Sequence, residues 1–356
     1  MSEGTIESQQ ELVNKPKDSS FHQQRLPAWR PILTARFVSP IFLVIGILFI
    51  PIGIVLLVTS SRVFERVIEY THCERSDANN TSSFRVLCSE EVRKPSFFSQ
   101  YSFCPCQQSF TLDSDLKGDV YFYYGLSNFY QNHRRYVMSK DDMQLHGDSN
   151  PLSAACDPFR TNPEGKSYAP CGAIAMSLFN DTFQLMYNGQ SSAPLSPPVN
   201  VPLTSSGIAW RTDVEQKFGR PPASIWANTV KPDSWPRTAL ERSPNAYSGD
   251  EELIVWMRVA ALPTFRKLHR ILVAHDRFSE GLPAGDYTLN IGYAYPVTQF
   301  GGTKRFIIST SSWLGGRNPT LGIAYLVMGS ISLLLGLLFL GLHYRFPRRV
   351  GTTLRS

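Results

Sequence analysis

From Val38 to Ser61 the chain reads VSPIFLVIGILFIPIGIVLLVTSS, 24 residues without a charge. Coiled as a helix, such a run is about 36 Å long at about 1.5 Å per residue, more than the roughly 30 Å hydrocarbon core of a bilayer. A second uncharged run, LGIAYLVMGSISLLLGLLFLGL, covers Leu321 to Leu342. Neither has the polar stripe that a long helix of a soluble protein carries. The first run exceeds the 7 to 15 apolar residues of a signal peptide and follows 37 mostly polar positions, so it is expected to stay in the chain. Two membrane-spanning helices are therefore expected. They divide the chain into a tail (1–37), a span (38–61), a large domain (62–320), a second span (321–342) and a second tail (343–356).

Two spans put both tails on one side and the large domain on the other. Lysine and arginine near the membrane barely decide which side is which. Arg25, Arg30 and Arg36 precede the first span, and Arg62, Arg66 and Arg75 follow it. The cysteines discriminate better: Cys73, Cys88, Cys104, Cys106, Cys156 and Cys171 all lie in the large domain. An even count confined to one segment points to disulfides in an oxidising space. The sequons Asn79-Asn80-Thr81, Asn80-Thr81-Ser82 and Asn180-Asp181-Thr182 lie in the same segment, making Asn79, Asn80 and Asn180 candidate glycan acceptors. The domain is expected to be lumenal or extracellular, with cytosolic tails. Basic tails beside an anionic leaflet account for much of the net charge of +6, and no nucleic-acid signature accompanies it.

Within the domain, Val120 to Tyr124, Leu253 to Val259, Tyr287 to Tyr295 and Phe306 to Thr310 read as strands. They are rich in aromatic and β-branched residues and bounded by Gly, Pro and Asp. Leu126, Phe129, Tyr130, His133 and Val137 recur at helical spacing and predict one short helix. The segment from Ser191 to Pro202, SSAPLSPPVNVP, reads as loop. The fold class expected is a membrane protein whose two transmembrane helices flank a large, mainly antiparallel, sandwich-like β ectodomain with short helices. Six cysteines permit fifteen pairings. Cys104 and Cys106 are too close in sequence to pair with each other, and Cys73 and Cys88 are the nearest partners. Cys156 and Cys171 would close a 16-residue loop.

Catalytic signatures are missing. Glu90-Glu91, Asp141-Asp142 and Glu251-Glu252 are adjacent acidic pairs, the pattern of a solvated edge rather than of separated catalytic carboxylates. No His-Glu-x-x-His, Gly-x-Ser-x-Gly or Walker loop occurs. His72, His133, His146, His269 and His275 lack metal-ligand spacing. No cofactor or metal is expected. The spans hold no Asp, Glu, Lys or Arg that would mark a transport path. They hold glycines at intervals of seven instead: Gly46 and Gly53 in the first, Gly322, Gly329 and Gly336 in the second. Each set stays on one helix face and admits another helix closely. That helix is either the chain's own other span or a partner's.

Several dispersed motifs resemble one family. They are Gln23-Gln24-Arg25-Leu26-Pro27-Ala28-Trp29, the run Asn128 to Tyr136 (NFYQNHRRY), and Pro170 to Ala175 (PCGAIA). Phe179-Asn180-Asp181-Thr182, Ile254 to Arg258 (IVWMR), Ala261 to Leu268 (ALPTFRKL), and Asn318-Pro319 with Leu321 to Tyr325 complete the set. The chain is similar over most of its length to the ligand-effect-modulator proteins, the accessory β-subunits of type-IV P-type ATPase phospholipid flippases. The resemblance implies a non-catalytic subunit bound to an ATPase α-subunit in a lipid membrane. Such a subunit serves assembly, export from the endoplasmic reticulum and aminophospholipid translocation. It also implies residence in the endoplasmic reticulum, Golgi and plasma membrane. By the same resemblance Cys73 pairs with Cys106, Cys88 with Cys104 and Cys156 with Cys171, and Asn180 carries a glycan. Gln23, Gln24, Arg25, Leu26, Pro27 and Trp29 become candidate contacts to the pump, as do Gly322, Gly329 and Gly336. Met176, Arg211, Gly292, Ala294 and the acidic run Asp250-Glu251-Glu252 depart from the family pattern. The alternative reading is a membrane-anchored ectoenzyme or lectin-like receptor, motivated by the size and aromatic content of the domain.

Overall fold

The structure is a computed structural model describing residues 17–26, 35–77, 86–94, 96–97, 102–148, 151–190 and 192–346. The chain divides into two compact units, 1–56 with 320–356, and 57–319. Two helices long and apolar enough to cross a membrane, Ala35–Ser61 and Thr320–Arg345, flank the second unit in sequence.

In the first unit these helices pack on each other through their glycines. A methyl group on Gly46 would lie 2.9 Å from Leu333 Cβ, and one on Gly53 would lie 2.9 Å from Leu326 Cγ. Gly329 faces Ile50 and Gly336 faces Leu43 just as closely, and Gly322 is buried along the same seam. The Ser39 hydroxyl donates to the Gly336 carbonyl at 2.8 Å. Phe49 meets Tyr325, and Phe42 meets Phe339, at ring-centroid distances of 4.9 and 5.9 Å. The choice left open by the heptad spacing thus falls to self-packing. Gly322, Gly329 and Gly336 face the chain's own first span rather than standing free for a partner helix, because only a missing Cβ lets the backbones approach this far. Substituting Gly329 by Leu is expected to force the helices apart at a cost of about 1–3 kcal/mol, typical of overpacking. A thermal melt of the detergent-solubilised protein checks this, and an unchanged melt would place the seam elsewhere.

In the second unit the strands, in chain order, are β1 Glu65–Glu69, β2 Cys104–Leu112, β3 Leu116–Lys117, β4 Val120–Leu126, β5 Ser167–Tyr168 and β6 Thr182–Gln190. Then follow β7 Ala193–Asn200, β8 Leu203–Thr204, β9 Thr229–Val230, β10 Phe265–Leu272, β11 Gly281–Leu282, β12 Gly285–Tyr293 and β13 Lys304–Thr310. One antiparallel sheet runs β1-β13-β4-β10-β8 and another β2-β12-β6-β7. Alternation decides which faces meet. Val120 and Phe122 of β4, Phe306 and Ile308 of β13, Leu185 and Tyr187 of β6, and Leu289 and Ile291 of β12 all enter one apolar core drawn from both sheets. Tyr124 and Leu126, further along β4, join a second core with Trp235, Leu253, Ile254, Trp256 and Tyr295.

Two expectations fail here. Leu253 to Val259 is not a strand: Glu251–Met257 is a helix whose start is capped by Asp250, the carboxylate accepting from Leu253 N at 3.1 Å. Leu253, Ile254, Trp256 and Met257 are buried, which is helical rather than alternating spacing. The segment from Ser191 to Pro202 is not all loop, because Ala193–Asn200 forms β7 on β6. Its prolines are tolerated because β7 lies at the edge of its sheet, where one row of N–H groups needs no partner. The predicted short helix begins later than its spacing suggested, at Arg134–Met138.

Candidate functional site

The Asn180-Asp181-Thr182 sequon holds the most buried charge among the described residues. Asp181 and Lys304 are both fully enclosed, with Nζ 2.6 Å from Asp181 Oδ2. Four donors converge on the carboxylate: Lys304 Nζ and the Tyr70 hydroxyl reach Oδ2, the latter at 2.9 Å, while the backbone N–H groups of Ala294 and Tyr295 each reach Oδ1 at 2.6 Å. Lys304 also donates to the Tyr295 carbonyl at 2.7 Å and lies over the Tyr293 ring. Burial pushes the Lys304 ammonium down to about 8, and Asp181 opposes that shift. The hub joins the segment after β1, the start of β6, the end of β12 and the start of β13. It is a lock across both sheets.

A second buried lysine closes the Glu251–Met257 helix. Lys267 Nζ donates to the carbonyls of Val255, Trp256 and Arg258 at 2.8, 2.8 and 2.6 Å, capping orphan acceptors at the helix end. Burial, with Arg258 adding repulsion, pushes this lysine down to about 7. Three carbonyl acceptors match the three N–H bonds of an ammonium, so the geometry favours the charged form against that push.

Next to the lock, Asn180 lines a cleft of about 230 Å³ together with Tyr124, Phe183, Arg237, Glu252 and His269. Burial, then the Arg270 charge, pushes the His269 imidazole down to about 3, between the rings of Tyr124 and Phe183. An unfolded histidine titrates near 6.5. Below that pH the unfolded chain takes up a proton that the folded one refuses, so this part of the stability is present above pH 6.5 and lost as pH falls toward 3. Between pH 7 and 5 the wild type should lose about 2 kcal/mol more than His269→Phe. Denaturant melts at the two pH values measure this, and equal slopes would contradict it.

The motifs that flanked Tyr130 and Leu262 in sequence meet in space. Phe129 N donates to the Pro263 carbonyl at 3.1 Å, Asn132 Nδ2 donates to the Ala261 carbonyl at 2.9 Å, and buried Gln131 accepts from Ala260 N at 2.8 Å. At the tips Tyr130 is 57% and Leu262 68% exposed. Composition gave no signal for this exposed apolar pair, because only the joining of the two loops makes it a patch.

The structure links Cys73 to Cys106, Cys88 to Cys104 and Cys156 to Cys171, with Cα separations of 6.1, 5.6 and 5.8 Å. Gln23, Gln24, Arg25 and Leu26 lie in a turn-rich segment, where Arg25 N donates to the Ser20 carbonyl at 2.7 Å and Leu26 is exposed. Pro27, Trp29, Asn79 and Asn80 lie outside the described residues. The acidic pairs do more than edge the surface. Asp141 caps the helix Asp142–His146, Glu251 accepts from Gly207 N and Ala209 N, and Glu252 pairs with Arg242 and Arg270. Among the described residues no three His, Cys, Asp or Glu side chains are grouped to hold a metal ion.

The departures from the family pattern also find physical settings. A methyl on Gly292 would lie 2.3 Å from Thr182 Oγ1, so in this chain the position excludes a side chain. Ala294 serves the lock through its backbone alone, and Arg211 is exposed and paired with Glu215 at 2.6 Å. The Met176 carbonyl accepts from Ser234 Oγ.

Two apolar helices bracketing a disulfide-linked antiparallel β domain define a class of two-span integral membrane protein. Residues 36–349 match the family described as LEM3 (ligand-effect modulator 3) / CDC50, and the chain belongs to that family. It is 47% identical over 352 residues to Cell cycle control protein 50A of Mus musculus, covering 96% of this chain and 92% of that protein. It is 42% identical to Cell cycle control protein 50B of Homo sapiens, covering 94% and 95% of the two. An Arabidopsis thaliana protein whose name carries the words ALA-interacting subunit is 38% identical, with 94% and 91% covered.

Proposed function

We propose that this chain is the non-catalytic accessory subunit of a type-IV P-type ATPase that moves aminophospholipids. Membership of the CDC50 family along nearly the whole chain carries this reading. A relative named as an interacting subunit supports an assembly role. The partner supplies ATP hydrolysis and the lipid path, since the spans here carry no charge and are occupied with each other. In this reading the domain of residues 62–320 is lumenal or extracellular, glycosylated at Asn180 and in the Asn79-Asn80 sequons. The tails are cytosolic, and the complex travels from the endoplasmic reticulum through the Golgi to the plasma membrane.

The Tyr130 and Leu262 tips are suited to meet the partner, being large, apolar, exposed and held by the buried Gln131 bond. Purification from native membranes in mild detergent should bring down a much larger ATPase, and recovery of the monomer alone would overturn the proposal. Leu262→Asp should reduce the recovered ATPase about tenfold or more, as the loss of an interface hot spot does. Unchanged recovery would move the contact elsewhere on the domain.

A further inference from the structure

The cleft beside the lock contains an unusual orphan. Asn180 Oδ1 is buried without a hydrogen-bond partner, one of three such side-chain atoms among the described residues. A buried carbonyl left without a donor is costly, and such an atom calls for a group that can donate to it. Nδ2, the atom through which an asparagine carries a sugar, is not among these buried orphans, and Asn180 itself lines the cleft. On either side Phe179 and Asp181 are buried, Phe179 stacked on Tyr124 at 4.0 Å and Asp181 held in the lock. The acceptor peptide is therefore pinned at both ends. A sugar attached to Nδ2 cannot swing away with its peptide and is held beside the cleft that Asn180 lines.

The lining suits a sugar ring. Phe183 gives a half-buried aromatic face, and Arg237 stands exposed with guanidinium donors for ring hydroxyls. The volume of about 230 Å³ is below the roughly 300–1,000 Å³ of sites for drug-sized ligands, room for one ring rather than a branched chain. We propose that this cleft is the seat of the first N-acetylglucosamine of a glycan on Asn180, which fills a gap in the domain's own surface and supplies a donor to Oδ1. The inference rests on the reading that Asn180 is glycosylated. It adds that the innermost sugar belongs to the packed structure, and that attachment precedes closure of the fold.

The test uses the full-length protein made in animal cells and held in detergent. Peptide mass spectrometry first reads occupancy at Asn180; an unmodified asparagine would overturn both the glycosylation and its seat. With the site occupied, an amidase that cuts between asparagine and the first sugar should act at least tenfold more slowly on the folded protein than on the denatured one. Equal rates would overturn the seat while leaving glycosylation intact. A third arm separates a seated ring from mere obstruction of the amidase. Trimming with an endoglycosidase that leaves one N-acetylglucosamine should keep Tm at the value of the fully glycosylated protein, whereas Asn180→Gln should melt about 2–4 °C lower. A trimmed protein melting as low as Asn180→Gln would also overturn the seat.

Discussion

Asp181→Asn is expected to destabilise the large domain by about 3–5 kcal/mol, the usual cost of removing one partner from a buried ion pair. Every group around that carboxylate is a donor: the Lys304 ammonium, the Tyr70 hydroxyl and two backbone N–H groups. An ionised carboxylate only accepts, whereas an amide must turn one NH₂ toward donors, so the substitution removes the counter-charge and sets donor against donor. Lys304 has no solvent to retreat to. The sequon survives, because Asn180 and Thr182 are untouched, so a folding defect can be told apart from a loss of sugar. In a domain of this size the shift in Tm should be about 6 °C or more. Replacing both partners by apolar residues, as in Asp181→Leu with Lys304→Met, should cost less than the two single changes added together. A melt of Asp181→Asn within a degree of the wild type would show that the lock is not what holds the sheets.

Removing both disulfides of β2 should be as damaging. Cys104 and Cys106 sit two residues apart on one face of that strand, both buried, and reach back to Cys88 and Cys73. The loops they close separate the cysteines by 16 and 33 positions. On the chain-entropy account each link is worth about 3–4 kcal/mol, so losing both costs about 4–7 kcal/mol once partial coupling is allowed for. Such a loss rivals the total stability of a typical domain, about 5–15 kcal/mol. The tethered segment contributes Val92 and Phe97 to the core, and Tyr70 enters it just ahead of Cys73, which gives the links packing to hold in place. The serine variants at all four positions are therefore expected to lose the cooperative denaturant transition that the wild type shows. A transition of unchanged midpoint would mean the links are dispensable.

How far the sequence could be read follows from where its signals are local. The two spans declare themselves because twenty or more uncharged residues have no other stable setting. The strands at Val120, Tyr287 and Phe306 declare themselves because aromatic and β-branched residues there coincide with burial. Leu253 to Val259 deceived because a short apolar run has no period of its own. The deciding signal is Asp250 as cap with Glu251 and Glu252 in the first turn, whereas the Glu251-Glu252 pair alone has the pattern of a solvated edge. β7 was hidden by prolines that only an edge position excuses. The lock was beyond reach in kind. Tyr70, Asp181 and Lys304 are each ordinary in sequence, and 123 positions separate the last two.

The place of β13 sets an order on how the protein is made. Among the described residues β1 is the first strand of the domain to be synthesised and pairs with β13 alone, and β13 also carries Lys304. A ribosome working at about 5–20 residues per second needs roughly 10–50 s to travel from one strand to the other. Through that interval β1 has no mate, and Asp181, once made, has no counter-ion, whatever else has collapsed. A nascent polypeptide halted before residue 304 thus leaves the β1 edge unpaired and the Asp181 carboxylate without its ammonium, so the domain closes only when its last strand arrives.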